Sequence, residues 1–430
     1  MHKHKDFDLS LRNISKIEGH THLDIEVRTN KVQKCRLKVS ENKRFFTNAI
    51  LGQSYLTVPG TMARICGTCS SAHTLCSTEA IEKALGLHVT KQTYNLRKLL
   101  SNSSHLRDHA MHLYFFCLPD ILGKESVLDF KNNEKQFIHD GLHIKEAGNF
   151  LTTIIGGRAI HPPNAIIGGF TAFPDKKQIE QAIVKLQDTR HRILRIIDLF
   201  YENKVDFSRK TNYVGLCNDD FNFIKGVIRT AYGTTIPEEK YRLHLERVVL
   251  PYSTATSFTW ESEDFMVGAL ARMNLNKHKL NKQTRKDTQK YLKVFPSNNI
   301  FNNNLAQAIE MLHETDSSIE ILEQLGAIKP EKPVKVKPRE SVGVGVVEAP
   351  RGTLYHHLAL DNQGKITFAD LCIPTQQNII HLEKDLASYI TKLLKEGASK
   401  QKISLEAEKM IRAYDPCMSC ATHFLKINWM

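Results

Sequence analysis

Two short stretches near opposite ends of the chain hold the side chains best suited to chemistry. RICGTCSSAH (64–73) carries Cys66, Cys69 and His73, and DPCMSCATH (415–423) carries Cys417, Cys420 and His423. Each is a C-x-x-C pair followed within one helical turn by a histidine. Brought together they would offer four soft thiolates. By spacing alone the bland occupant of such a set is structural zinc. A zinc ribbon, though, closes a loop of modest length, whereas here nearly the whole chain separates the halves. Loop-closure entropy grows slowly with length, so the distance is permitted, but it is unlike a ribbon.

The elements between must bring those halves together. A chain of 430 residues is too long for one simple core, so two or more lobes are expected. Of nine cysteines, five stand singly (Cys35, Cys76, Cys117, Cys217, Cys372) and read as reduced, buried thiols of an intracellular protein. The N-terminus has no apolar signal region and no stretch is long and apolar enough to span a bilayer, so the expected location is cytoplasmic. The net charge of +13 is spread along helices without a dense basic cluster or aromatic platform, which points away from nucleic acid and towards a solvated face or an acidic protein partner.

Residues 20–39 alternate apolar and polar about Thr29-Asn30, the pattern of a half-buried hairpin. Just before it Gly19 lets the chain turn and aim Glu18 inward, although a surface carboxylate is the commoner reading of such a segment. A helix is expected over 72–85, ended by Gly86, with Cys66 and Cys69 in the turn leading into it. A longer one over 92–118 has an apolar stripe through Leu96, Leu99, Leu106, Ala110 and Leu113. His105, His109 and His112 share another face, read as a polar face and not a second metal site. Pro119 is expected to stop this helix, leaving Asp120 at the turn to pair with a buried arginine.

GGRAIHPPNAIIGG (156–169) reads as a close-packed bend, and 175–330 as mostly helical with one extended exception around YRLHLERVVLPYS. KPEKPVKVKP (329–338) marks a linker or exposed edge. In SVGVGVVEAPRG (341–352) the G-x-G lacks a third glycine opening a helix, which argues against a dinucleotide fold, and Pro350 fixes the backbone before Arg351. A second hairpin is expected over 354–374, with helices near 378–396 and 403–413. The fold class is thus α+β, predominantly helical, with a helical core between N-terminal and C-terminal β-hairpin regions. Three stretches follow: 1–55, 56–330 with the first cysteine motif, and 331–430 with the second.

RICGTCSSAH and DPCMSCATH, with IEGH near the start, GGRAIHPPNAIIGG in the middle and EAPRGTLYHH before the end, resemble the catalytic large subunit of nickel–iron hydrogenases. The similarity runs in order along essentially the whole chain, and LYHH with the compact length is most like the cytoplasmic, cofactor-coupled branch. The resemblance implies reversible heterolytic cleavage of dihydrogen at a nickel–iron centre whose iron carries carbon monoxide and cyanide. It makes Cys66 and Cys417 terminal nickel ligands, and Cys69 and Cys420 bridges to iron. Cys417 would pass a proton to Glu18. Arg351 would lie over the open metal face, oriented by Asp120, while Thr375 would hydrogen-bond a cyanide and His73 would support the ligands from behind. The alternative is a non-catalytic zinc-binding or assembly subunit descended from such an enzyme.

The resemblance also implies partners: a small subunit with iron–sulfur clusters, further electron-transfer subunits, nickel-insertion proteins and a maturation protease that removes FLKINWM after His423. An uncleaved tail packed on the surface is the other reading. Finally, it implies a structural magnesium or iron ion held by a glutamate, the Leu371 carbonyl and His423. Here RFFTNAILG puts Thr47 at the glutamate's place, so weak binding, or the use of water or a nearby acid such as Glu41, is expected instead.

Overall fold

The computed structural model describes residues 6–422, apart from 204 and 327. Five long helices, Ser70–Leu85, Lys91–Met111, Lys135–Gly156, Lys176–Glu202 and Asn302–Leu325, form the centre. Lys91–Met111 packs on Lys135–Gly156 and on Asn302–Leu325, which in turn packs on Lys176–Glu202. Local chemistry sets their ends. The Thr90 hydroxyl accepts from the Thr93 N–H, Asp175 and Gln178 cap each other reciprocally, and Gly86 closes the first helix at φ 68°.

The expected face of His105, His109 and His112 is polar but not solvated, because all three rings are buried. Two helices cover what one helix would have left in water. Nor does Pro119 stop the second helix. After Met111 the chain takes a π-helical turn, His112–Cys117, and continues as Leu118–Ile121 with the proline in its first turn, where a missing N–H costs little.

At the N-terminus Phe7–Leu11, Thr21–Arg28 and Lys31–Val39 form an antiparallel sheet. Its hairpin turns at Thr29 (φ 51°) and Asn30 (φ 60°), the left-handed pair that matches strand twist. At the other end Ser341–Ala349, Gly352–Leu360 and Ile366–Cys372 form a second antiparallel sheet. Ser341–Ala349 lies against Ser70–Leu85. A Cβ on Gly343 or Gly345 would stand 2.0 Å from the carbonyl oxygen of Ala80 or Cys76. The G-x-G is therefore a site of close helix–strand approach.

Residues 205–300 depart from the helical expectation. They hold a four-stranded sheet built from Asn212–Cys217, Val227–Thr230, Thr235–Ile236 and Phe265–Met266, and a separate pair, Leu245–Val248 with Ser257–Trp260. One apolar core runs from Leu9 to Ala421, drawing on all three stretches of the chain, and a smaller one lies around Val214, Trp260, Val346 and Tyr355.

Candidate metal centre

Cys66 and Cys69 sit on the turn before Ser70–Leu85, and Cys417 and Cys420 on the short turn Met418–Ala421 that follows Asp415-Pro416. The fold brings all four together, buried, with their sulfurs within 4.8 Å of one another. Cys417 Sγ is 2.9 Å from Cys420 Sγ and 3.5 Å from Cys66 Sγ. Hydrogen bonds from the Cys417, Cys420 and Cys69 thiols hold Cys66 well below the usual thiol range, while burial pushes Cys417 and Cys420 well above it. Four converging sulfurs with one favoured thiolate fit a soft metal, whose binding would draw off the remaining protons.

Glu18 reaches this cluster from the N-terminal region. Its Oε2 lies 3.0 Å from Cys417 Sγ and accepts the Ser419 N–H at 3.0 Å, while its carbonyl accepts from Met418 N at 2.9 Å. Gly19, at φ 82°, makes the approach possible, since a Cβ there would stand 2.9 Å from Met418 Cβ.

Arg351 covers another side, with Nη1 3.5 Å from Cys69 Sγ. Its orienting partners differ from the expected one. Nη1 bonds Asp108 Oδ2 at 2.8 Å, and Nε bonds Asp415 Oδ1 at 3.1 Å. Asp120 instead pairs with Arg412 (3.0 Å) and Lys16 (2.7 Å). The reason is distance: Asp120 lies twelve residues beyond Asp108 along one helical run, about 18 Å at the helical rise. Sequence reasoning missed Asp108, hidden mid-helix, and Asp415, although it stands inside the second cysteine motif. Asp415 takes φ 49° immediately before proline, a strained conformation for a residue with a side chain. Its other oxygen, Oδ2, accepts from Gln307 Nε2 at 2.9 Å, and Gln307 Oε1 accepts from His112 Nδ1 at 2.6 Å.

Thr375 opens the Pro374–Lys395 helix, and its hydroxyl oxygen accepts the Cys417 N–H at 2.9 Å. His73, held neutral by burial with a pKa of about 4, meets His356 Nε2 at 3.2 Å. A second buried group, His109, Glu310 and Glu314, lies between the second and fifth long helices. There Arg272 grips both oxygens of Glu310 at 2.7 Å, so the group reads as an ion-pair network. A groove of about 770 Å³, with Glu79, Lys83, Tyr94 and Arg97 in its lining, shares no residue with the thiol cluster.

The expected divalent-ion site is partly in view. Thr47 is buried on the helix Phe46–Ile50, which packs on the strand carrying Leu371. The Leu371 carbonyl accepts from Arg247 Nη2 at 2.9 Å, and Glu41 accepts the His20 N–H at 2.9 Å. His423 and FLKINWM lie outside the described residues. Thr47 brings a neutral hydroxyl where a carboxylate would offset the charge of a hard dication, and the Leu371 carbonyl lies against the Arg247 guanidinium.

A family model described as "Nickel-dependent hydrogenase" matches residues 48–140 and 220–423, more than half of the chain. The chain is 31% identical to sulfhydrogenase 1 subunit alpha of Pyrococcus furiosus over 97% of its own length and 98% of that protein's. It is 27% identical to the NAD-reducing hydrogenase HoxS subunit beta of Cupriavidus necator, over 96% of this chain and 94% of that one. In fold it is similar to a chain of the NAD⁺-reducing [NiFe]-hydrogenase in the H2-reduced state (TM-score 0.88, 23% identity, 97% of this chain and 99% of that one). It is also similar to a chain of the Ni-Fe-Se hydrogenase from D. vulgaris Hildenborough (TM-score 0.78, 18% identity, 97% and 100%).

Proposed function

The chain belongs to the nickel-dependent hydrogenase family as a large, hydrogen-activating subunit, and we propose that Cys66, Cys69, Cys417 and Cys420 hold its nickel–iron centre, with carbon monoxide and cyanide completing the iron. The observation that carries this reading is the convergence of four buried sulfurs between a carboxylate on one side and a guanidinium on the other. When bound, such a centre supplies the Lewis acidity and the redox capacity for heterolytic cleavage of dihydrogen.

The chain's own groups handle the proton and the charge. Cys417 Sγ hands a proton to Glu18 Oε2 across 3.0 Å, within the reach of direct transfer. The Ser419 N–H keeps that oxygen aimed at the sulfur. Arg351, fixed between Asp108 and Asp415, is a cation that cannot turn away, and in a dry site such a charge acts strongly on whatever lies beside Cys69. Thr375 anchors the Cys417 backbone. Its hydroxyl proton is then free to be donated to a cyanide. His73 supports the cluster from behind as a neutral ring.

Electrons must leave through a partner, because among the described residues the other cysteines stand singly and no further thiol cluster exists. A small subunit bearing iron–sulfur clusters fits that need. Exposed Phe45, Leu56 and Ile160 offer it an apolar footing, and Ile160 lies against Gly67 beside Cys66. The described residues contain no helix long and apolar enough to cross a membrane. A cytoplasmic complex, with nickel-insertion proteins and a maturation protease acting on this chain, completes the proposal.

The test is made on the matured complex. Nickel and iron are expected at the cysteine site in comparable amounts, together with infrared bands of metal-bound carbon monoxide and cyanide. Cys417→Ser is expected to remove them, whereas Glu18→Gln keeps metals and bands but loses hydrogen uptake. Zinc alone without such bands would sink the reading, and near-normal uptake by Glu18→Gln would remove Glu18 from the proton path.

A further inference from the structure

Three elements meet where the resemblance places a structural divalent ion. They are the helix Phe46–Ile50, the end of the strand Ile366–Cys372 and the last described residues, 421–422. Such an ion would satisfy buried carbonyls and tie the C-terminal segment to the core. We propose that Arg247 and Gln376 do that work in this protein, and that no divalent ion binds there.

Among the described residues, three carbonyls at this junction each accept an N–H from the chain itself. Leu371 O accepts from Arg247 Nη2 at 2.9 Å. Ala421 O accepts from Gln376 Nε2 at 2.9 Å, and Thr422 O from the Arg44 backbone N–H at 3.0 Å. The two side chains share one further partner, the Thr256 hydroxyl, 2.9 Å from Arg247 Nη1 and 3.3 Å from Gln376 Nε2. They therefore form one connected brace across the junction.

The brace is fixed as well as connected. Arg247 Nη2 also bonds Asp370 Oδ1 at 2.7 Å, and its guanidinium lies over the Phe258 ring at 4.6 Å. Gln376 Oε1 accepts the Ile373 N–H at 3.2 Å. A guanidinium held by a carboxylate, a hydroxyl, a carbonyl and a ring face does not swing aside for an ion. A dication against Leu371 O would stand beside this permanent cation.

Residue 47 completes the argument. A hard dication in this pocket would need an anionic oxygen to offset its lost hydration, and Thr47 offers a neutral hydroxyl. Thr47 and Arg247 are thus two halves of one exchange, in which the carboxylate is gone and a side-chain cation has replaced the ion. Glu41 turns its Oε1 to the His20 N–H at 2.9 Å. Ion binding at this junction is separate from metal binding at the thiol cluster.

The test reads metal and stability at this position in the complete complex. After gel filtration, magnesium, calcium, manganese and zinc are expected well below one equivalent per chain. Anomalous diffraction across the iron edge is expected to show no peak between the Leu371 and Ala421 carbonyls, and a chelator should leave the melting temperature unchanged. Arg247→Met should lower that temperature, Arg247→Lys should recover part of the loss, and Thr47→Glu alone should not gain an ion. The double variant Thr47→Glu/Arg247→Ala should bind stoichiometric magnesium and melt higher as magnesium is added. A stoichiometric divalent ion in the unaltered protein, an iron peak between those carbonyls, or a chelator-induced fall in melting temperature would each overturn the proposal. These readings on the unaltered protein decide the matter even if a variant does not fold.

Discussion

Arg351 is only as well placed as the carboxylates that hold it, and Asp415 sits on a strained backbone, so its second oxygen matters. Gln307 donates to that oxygen while accepting from His112. His112 has an acceptor at each nitrogen, the second being the Arg412 carbonyl at 2.8 Å. Burial opposes charge on the ring, but Asp415, Cys117 and the Arg412 carbonyl push His112 up to about 10. The Gln307→Ala variant, loaded with metals, is expected to lose about tenfold in turnover per nickel, the scale of one hydrogen bond to a charged group. If Gln307 works through Asp415, the same change in an Asp415→Asn background should cost little more. Equal losses in both backgrounds would show that it acts some other way. At this scale the two cysteine pairs were readable from short spacing alone, whereas Glu18, which reads more commonly as a surface carboxylate, and Arg351 stood out through the family resemblance. Asp108 was not readable, because an acid beside Arg107 in a helix looks solvated until a second helix covers it.

Among the elements, the two hairpins were legible because alternation and a turn coincide in each, and the helix Ser70–Leu85 because its apolar stripe ends at Gly86. The middle sheet was not. Asn212–Cys217 is buried at every residue, so it shows no alternation, and its partners are only two to four residues long. The Pro374–Lys395 helix is tied to the N-terminal sheet by Glu383, whose Oε1 accepts the Leu37 N–H at 2.7 Å and whose Oε2 accepts from Tyr252 OH at 2.9 Å. Burial pushes Glu383 up to about 7, above the roughly 4.3 of an unfolded chain. The folded state therefore binds this proton more tightly. Its contribution is complete below the unfolded value and is lost as pH rises through about 7, by roughly 2 kcal/mol for a partly exposed group. Glu383→Gln is expected to flatten that slope, melting closer to the unaltered protein at about pH 5 and gaining on it at about pH 8. Equal differences at both pH values would show that Glu383 is not the titrating group.

In the whole molecule the two ends of the chain clasp each other around the sulfurs. The Glu18 carbonyl takes Met418 N, the Arg44 N–H meets the Thr422 carbonyl, and Arg412 reaches the Ser15 carbonyl at 3.2 Å. Thr422 is wholly buried. In this closed arrangement Cys417 and Cys420 are buried, and metal entry would call for the second motif to be seated after the centre is assembled. FLKINWM, with apolar Phe424, Leu425, Ile427 and Trp429, would delay that step for as long as it is retained. Cleavage after His423 would release it, and burial of Ala421 and Thr422 under the N-terminal segment would make closure irreversible. Intact mass spectrometry should therefore find nickel-loaded chains ending at His423 and nickel-free chains retaining the extension. An active, nickel-loaded chain that still carries Trp429 would show that the clasp closes without cleavage.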